Sequence, residues 1–213
     1  MMALFLSAFV TLFVVIDPPG CAPIFASLTN GASDPQRRSM AARSVMIAAV
    51  LLLLFALVGE KLLDTLGISL DAFRIAGGIM LFLIALEMVF EKRTERREER
   101  ADEISRKAAE EHRPVEDISV FPMAIPMIAG PGSIATVMLL VSRSSGIDQT
   151  LTVLAALAAV LLLTLAALFA AGPIMRVLGP KLEAMITRVL GVLLAALAAQ
   201  FIIDGITAAF RLG

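Results

Sequence analysis

The sequence predicts an all-α membrane protein: six transmembrane helices forming a 3+3 inverted repeat, with spans one and four broken at mid-membrane. Three observations predict it. The chain of 213 residues is 59% hydrophobic and 17% charged, with a mean hydropathy of +0.90, whereas a soluble domain is about half apolar and a quarter charged. Six apolar stretches reach the roughly 20 residues that a helix needs to cross a ~30 Å hydrocarbon layer. The two halves of the chain also carry matching residues at a nearly constant offset.

The spans follow in order. Ala3 to Leu28 is apolar except at Asp17-Pro18-Pro19-Gly20, and Met40 to Val58 is almost all Leu, Val and Ala. Ile68 to Phe90 carries the Gly77-Gly78 pair, and Ile118 to Val141 is interrupted by Pro122, Pro126 and Gly130-Pro131-Gly132. Thr150 to Ala171 is rich in Ala and Leu, and Ile186 to Phe210 is the last. The first stretch lacks a basic flank and is too long for a signal peptide, so it is expected to stay as a span.

Charge is concentrated elsewhere. Glu91 to Asp117 holds eight of the 18 Lys/Arg and ten of the 19 Asp/Glu, together with His112, the one histidine. The mixture of signs reads as a solvated helix with pairs such as Glu103 to Lys107, a cytoplasmic linker between two halves. Domain organisation is therefore 1–90, a first three-helix repeat, 91–117, the linker, and 118–213, a second repeat. Basic residues interleaved with acids make no nucleic-acid surface, and a lone cysteine, Cys21, makes no disulfide framework or cysteine metal cluster. Lys61, Arg74, Arg143 and Arg211 fall on one side of the six spans and the other 14 Lys/Arg on the opposite side. The positive-inside rule then places both termini outside.

The repeat rests on three matches. Pro19-Gly20 aligns with Pro131-Gly132 at 112 residues, Arg74-x-x-Gly77 with Arg188-x-x-Gly191 at 114, and Ala85-Leu86-Glu87-Met88 with Ala198-Ala199-Gln200-Phe201 at 113. A unit of three spans is odd, so the second enters the membrane from the other side, as in many secondary transporters.

The two breaks carry the functional signal. Pro18 and Pro19 remove backbone donors and Gly20 tolerates unusual angles. Asp17, before a proline, leaves helical geometry and is suited to cap the half-helix beyond it. Gly130-Pro131-Gly132-Ser133 repeats the pattern with Ser133 as the expected cap. The half-helices, Cys21 to Leu28 and Ile134 to Val141, are about 12 Å long at 1.5 Å per residue, which puts both breaks near mid-membrane. Unpaired backbone groups at that depth require a protein-lined cavity, and two half-helix N-termini suit an anionic group such as a carboxylate.

These residues resemble a known family. Phe13-Val14-Val15-Ile16-Asp17-Pro18-Pro19-Gly20 with Ala22-Pro23-Ile24-Phe25, then Arg74-Ile75-Ala76-Gly77-Gly78-Ile79, then Pro126 through Thr136 are similar, over essentially the whole chain, to segments of the MarC family of bacterial inner-membrane proteins. The family stands near the LysE-type amino-acid exporters. The resemblance implies a transporter of small neutral amino acids such as glycine, alanine or threonine. Family members often have Asn where this chain has Cys21, a departure that bears on selectivity.

The expected substrate-binding residues are Asp17, Pro18, Pro19, Gly20, Cys21, Pro23, Gly130, Pro131, Gly132, Ser133 and Thr136. Asp17, the carboxylate deepest in a span, is expected to engage a substrate amino group or a coupling proton. Glu87 and its repeat counterpart Gln200 are the path-lining candidates, while Arg74 and Arg188 sit at span entrances. No cofactor or metal is expected, and the coupling ion is a proton or sodium. The partners are an amino-acid substrate and the bilayer; an oligomer is compatible with the sequence. Enzyme classes find no support: no span holds a histidine, Ser133 lies outside Gly-x-Ser-x-Gly, and His-Glu-x-x-His is absent. The competing class is a non-transporting scaffold or lipid-modulating protein, from which the pair of broken helices distinguishes a transporter.

Overall fold

A computed structural model describes the backbone of residues 1–90 and 117–210, and the side chains of all of these except 172–184. Apart from Asp117, the linker expected at 91–117 lies outside the described residues. Within them the chain is all-helical: α1 Met2–Ile16, α2 Pro18–Leu28, α3 Asp34–Thr65, α4 Leu70–Val89, α5 Ser119–Ile128, α6 Pro131–Ser142, α7 Ile147–Phe169 and α8 Ala171–Phe210.

Among the described residues, five segments are long and apolar enough to cross a membrane singly: Met2–Leu28 (α1 with α2), α3, α4, α7 and Met185–Phe210 of α8. The pair α5 and α6, bent by 54°, supplies a sixth if taken as one span. Leu57, Leu83 and Leu162 are more than half exposed, as expected where lipid rather than water covers the outer surface.

Several bounds differ from expectation. The second span grows from Met40–Val58 to a 32-residue helix, because a capped polar turn precedes its apolar part. There Ser33 N–H donates to Gln36 Oε1 at 3.0 Å, and Pro35 occupies the first turn. Only Ala170 separates α7 from α8, whose helix begins well before its apolar portion. In α5, Phe121 (φ −127°, ψ 128°) and Ile125 (φ −126°, ψ 123°) are extended, each directly before a proline and each joined to it by a cis bond. This stretch is therefore not a regular half-helix.

Consecutive spans alternate in direction. Met1, the α3–α4 turn and the α6–α7 turn share one face, here the terminus face; the α2–α3 turn, the end of α4 and the start of α5 share the other, the linker face. Two cores fill the bundle. One joins α1 and α2 to α3, α5, α6 and α7 through residues such as Leu12, Phe25, Leu52, Met123 and Leu157. The second joins α1, α4, α6 and α8 through Val15, Leu81, Leu139 and Leu194.

The tightest seam is α4 against α8. Lipid is as apolar as leucine, so helices associate in membranes by close packing of small residues. A Cβ added at Gly78 would lie 2.9 Å from the Ala198 carbonyl and 2.7 Å from Ile202; one at Gly191 would lie 3.1 Å from the Ala85 carbonyl and 3.0 Å from Val89. Each glycine thus faces the other helix's alanine. Gly205 repeats the approach against the Asp71 carbonyl at 3.0 Å.

On the linker face, Asp117 precedes α5. Its carboxylate accepts from both the hydroxyl and the amide of Ser119, and from Arg43 Nη1 of α3 at 2.9 Å. The Ser119 hydrogen bonds first, and Arg43 after them, hold its pKa below the usual 3.8 against the opposing effect of burial.

Two measurements check this packing. Gly78→Val is expected to lose about 1–3 kcal/mol by overpacking the α4–α8 seam, whereas Gly146→Ala, where an added Cβ meets open space, loses only the ~0.5 kcal/mol of alanine at the α7 N-cap, both read by denaturant unfolding in mixed micelles. Asp117→Ala is expected to lose under about 1 kcal/mol near neutral pH, because Arg43 and Asp117 are both more than half exposed. A lowered folded pKa gives stability above the unfolded value that disappears as pH falls through the folded one. The deficit should accordingly close as pH drops below 3.8.

Candidate functional site

The first break turns on one residue. Asp17 adopts left-handed geometry (φ 59°, ψ 64°), the one non-glycine residue with positive φ among the described residues, a conformation that Asp and Asn accept more readily than others. Its amide still closes α1 on the Phe13 carbonyl at 2.9 Å. Pro18 and Pro19 then offer no donors, and the chain restarts as α2. Asp17 caps that restart as expected: Oδ1 accepts from Gly20 N–H at 3.1 Å, and its backbone carbonyl accepts from Cys21 N–H at 3.0 Å. The carboxylate folds over Gly20 so closely that a Cβ there would sit 2.2 Å from Oδ2. Gly20 is required by the side chain it lies under.

Cys21 completes the junction. Its thiol donates to the Ile16 carbonyl at 3.5 Å, the acceptor that a continuous helix would have matched with Gly20 N–H. Asp17 is 2% exposed and Cys21 0%, and this span still passes as a single 27-residue apolar unit.

The second break is built differently. Gly130 (φ −79°, ψ 170°) occupies the N-cap of α6, and no side chain caps the helix. Ser133, expected as that cap, lies instead in the first turn; Pro131 follows Gly130 directly and moves the helix start ahead of it. A Cβ at Gly130 would fall 2.4 Å from the Pro126 carbonyl, so the chain can turn this tightly only with glycine. Thr136 Oγ1 donates to the Gly132 carbonyl at 2.7 Å within its own helix.

The two breaks meet. A Cβ at Gly132 would lie 3.5 Å from Val15, two residues before Asp17, and 2.6 Å from Ile84 of α4. Pro18, Gly20, Cys21, Gly130, Gly132, Ser133 and Thr136 are buried, Pro19 and Pro23 half-buried, and Pro131 exposed. By length the junction is deep: α2, 11 residues, runs about 16 Å to the linker face, and α6, 12 residues, about 18 Å to the terminus face.

Other expected residues lie apart. Gln200 is exposed and donates to Asp204 one turn along α8 at 2.6 Å, and Glu87 is half-buried near the linker-face end of α4. Arg74 pairs with Asp71 of its own helix at 3.1 Å, while Arg188 is exposed. A recess of about 500 Å³ on the terminus face, bounded by Met1, Ser145, Gly146 and Asp148, is separate from the breaks. Sequence reading missed the ion pairs Arg43–Asp117 and Arg143–Asp204, whose partners stand 74 and 61 residues apart. Opposite charges at same-face span ends were the available signal.

Residues 2–210 match the family described as MarC family integral membrane protein. The chain belongs to the MarC family. It is 37% identical over 205 residues to a UPF0056 membrane protein of Methanocaldococcus jannaschii, covering 96% of this chain and 97% of that one. A UPF0056 membrane protein of Archaeoglobus fulgidus is 35% identical over 205 residues, 96% and 93% of the two chains. YvbG of Bacillus subtilis, also a UPF0056 membrane protein, is 34% identical over 210 residues, 99% and 97%. MarC relatives thus occur in archaea as well as bacteria. No solved structure matches. This MarC protein is an integral membrane protein, and its break motifs lie within the matched region.

A double-mutant cycle tests the first junction. Asp17→Ala removes the cap and leaves alanine in left-handed geometry, at a combined cost of about 2 kcal/mol. Gly20→Ala is destabilising alone but is expected to cost at least ~0.5 kcal/mol less in the Asp17→Ala background, where the clashing carboxylate is gone. Strict additivity would contradict the geometry.

Proposed function

We propose that this MarC-family protein is a secondary transporter of small neutral amino acids, working by alternating access around the joined breaks and catalysing no chemical step. The observation that carries the reading is that junction: a deeply buried carboxylate at one break and a half-helix without a side-chain cap at the other, in contact through Val15 and Gly132. The first-turn amides of α6, at Gly132 and Ser133, suit a substrate carboxylate. Asp17 suits the ammonium group or a coupling proton or sodium ion. The Gly20 amide, already held by Asp17, is not part of the carboxylate site in this reading. Glycine, alanine and threonine are the proposed substrates because the residues around these amides, Gly130, Gly132 and Ser133, are small.

A 3+3 inverted repeat is part of the proposal, and the packing supports it. Exchanging spans one with four, two with five and three with six turns the α1–α7 contact into α5–α3 and returns α4–α8 to itself; each of these contacts occurs. At an offset of 113, Gly78 and Gly191 correspond, as do Ala85 and Ala198, the residues that face one another across the seam. That register favours Gly78 over Gly77 as the counterpart of Gly191. The Lys/Arg distribution supports a cytoplasmic linker face with the termini outside, and a bacterial inner membrane is the proposed location.

Uptake of labelled glycine, alanine and threonine into proteoliposomes under proton or sodium gradients tests the reading. Asp17→Asn is the informative variant, because Asn caps helices about as well as Asp and stability should change by no more than about 0.5 kcal/mol. Gradient-driven uptake is expected in the wild type and lost in Asp17→Asn. No flux of any of the three amino acids removes the substrate assignment and leaves a scaffold or lipid-modulating role. Undiminished coupled flux in Asp17→Asn removes the coupling role of that residue alone.

A further inference from the structure

Span four is tied to its neighbours at both ends by ion pairs on opposite faces. At the linker face Asp117, ahead of α5, pairs with Arg43 of α3. At the terminus face Arg143, the C-cap residue of α6, pairs with Asp204 of α8. The second is the more elaborate. The Arg143 guanidinium lies 4.8 Å over the ring of Phe201, itself part of the core shared by α1, α4, α6 and α8. Asp204 Oδ2 accepts from Arg143 and Oδ1 from Gln200 at 2.6 Å. Both carboxylate oxygens are thus used within the protein, and the group is built as a clasp between two helices rather than as a receptor.

The clasp holds one end of a lever. From Arg143, α6 runs back about 18 Å to Gly130, where it has no side-chain cap and its continuity with α5 is broken. There Gly132 packs on Val15 of α1 and on Leu81 and Ile84 of α4, so this packing and the ion pair at Arg143 together position α6. At its start α6 abuts the first break, where Gly132 lies beside Val15, two residues before Asp17, and its Val137 and Leu140 belong to the same core as Cys21.

We propose that the Arg143–Asp204 pair is the terminus-face latch of the junction: closed, it pins α6 on α8 and seals Cys21 and Asp17; released, it lets α6 swing and opens the junction to that face. Arg43–Asp117 is its counterpart on the linker face. The latch rests on the transporter reading, which supplies the reason for two faces to open in turn.

Cys21, the chain's one cysteine and 0% exposed, is a built-in reporter. The full chain in proteoliposomes is treated with a membrane-impermeant methanethiosulfonate from each face separately. Arg143→Gln and Asp204→Asn are each expected to raise Cys21 labelling from the terminus face by about fivefold, the population shift that a partly exposed ion pair supports, without a rise from the linker face. The exchange Arg143→Asp with Asp204→Arg should return labelling toward the wild-type rate, and Arg43→Gln should raise labelling from the linker face. Unchanged labelling in both single variants, an equal rise from both faces, or no recovery in the exchange overturns the latch. The readout needs no substrate. Face-specific labelling without amino-acid flux would therefore sink the transporter reading alone, and flux with unaltered labelling the latch alone.

Discussion

Every feature of the junction follows from the demand that backbone polar groups find partners where no water can serve them. Two consecutive prolines in an apolar span leave the helix short of donors, and the chain answers within five residues. Asp17 turns into left-handed geometry, its carboxylate takes the Gly20 amide, and the Cys21 thiol takes the Ile16 carbonyl. Because those repairs are local, the first span remains one apolar unit, and α1 can pack on α7 while α2 packs on both α7 and α8. The same accounting explains why the residue after Pro19 is glycine and why an acid is tolerated at this depth.

The remainder of the bundle is organised around a seam of small residues. Gly78 and Gly191 bring α4 and α8 close enough for backbone carbonyls to touch the facing helix, which suits association in lipid, where burial of apolar surface supplies little drive. Residues of α4, Ile84 and Leu81, then press on Gly132, so the tightest packed part of the molecule forms one wall of the least regular part. A rigid pair of helices beside two interrupted ones is a division of labour that alternating access would use.

Much of this was legible in the sequence, and the rest was hidden for physical reasons. Length and apolarity marked the spans, since the bilayer imposes both. Asp17 was readable as a cap because the pre-proline position and the short acidic side chain agree. Ser133 was misread because a cap is defined by the backbone conformation of Gly130, which residue type alone does not reveal. The unequal bends were also unreadable: Pro122 and Pro126 signal interruption but not the extended geometry of Phe121 and Ile125. Glu87 and Gln200 correspond in sequence, yet Gln200 turns along its own helix to Asp204. Cross-chain pairs such as Arg143–Asp204 depend on which helices become neighbours, and periodicity is silent on that.

The two breaks resemble each other in sequence and differ in chemistry: α2 carries its own negative cap, and α6 begins on a bare glycine. In an inverted-repeat machine with chemically identical halves, the two orientations would be related by a two-fold rotation and equal in free energy, each populated half the time at rest. In the transporter proposed here, the protein's own composition would lift that degeneracy. One half neutralises its helix terminus internally through Asp17, while the other has no side-chain cap. A transporter so built would have a preferred resting orientation even on a membrane with no gradient across it, and ligand would act chiefly on the uncapped half.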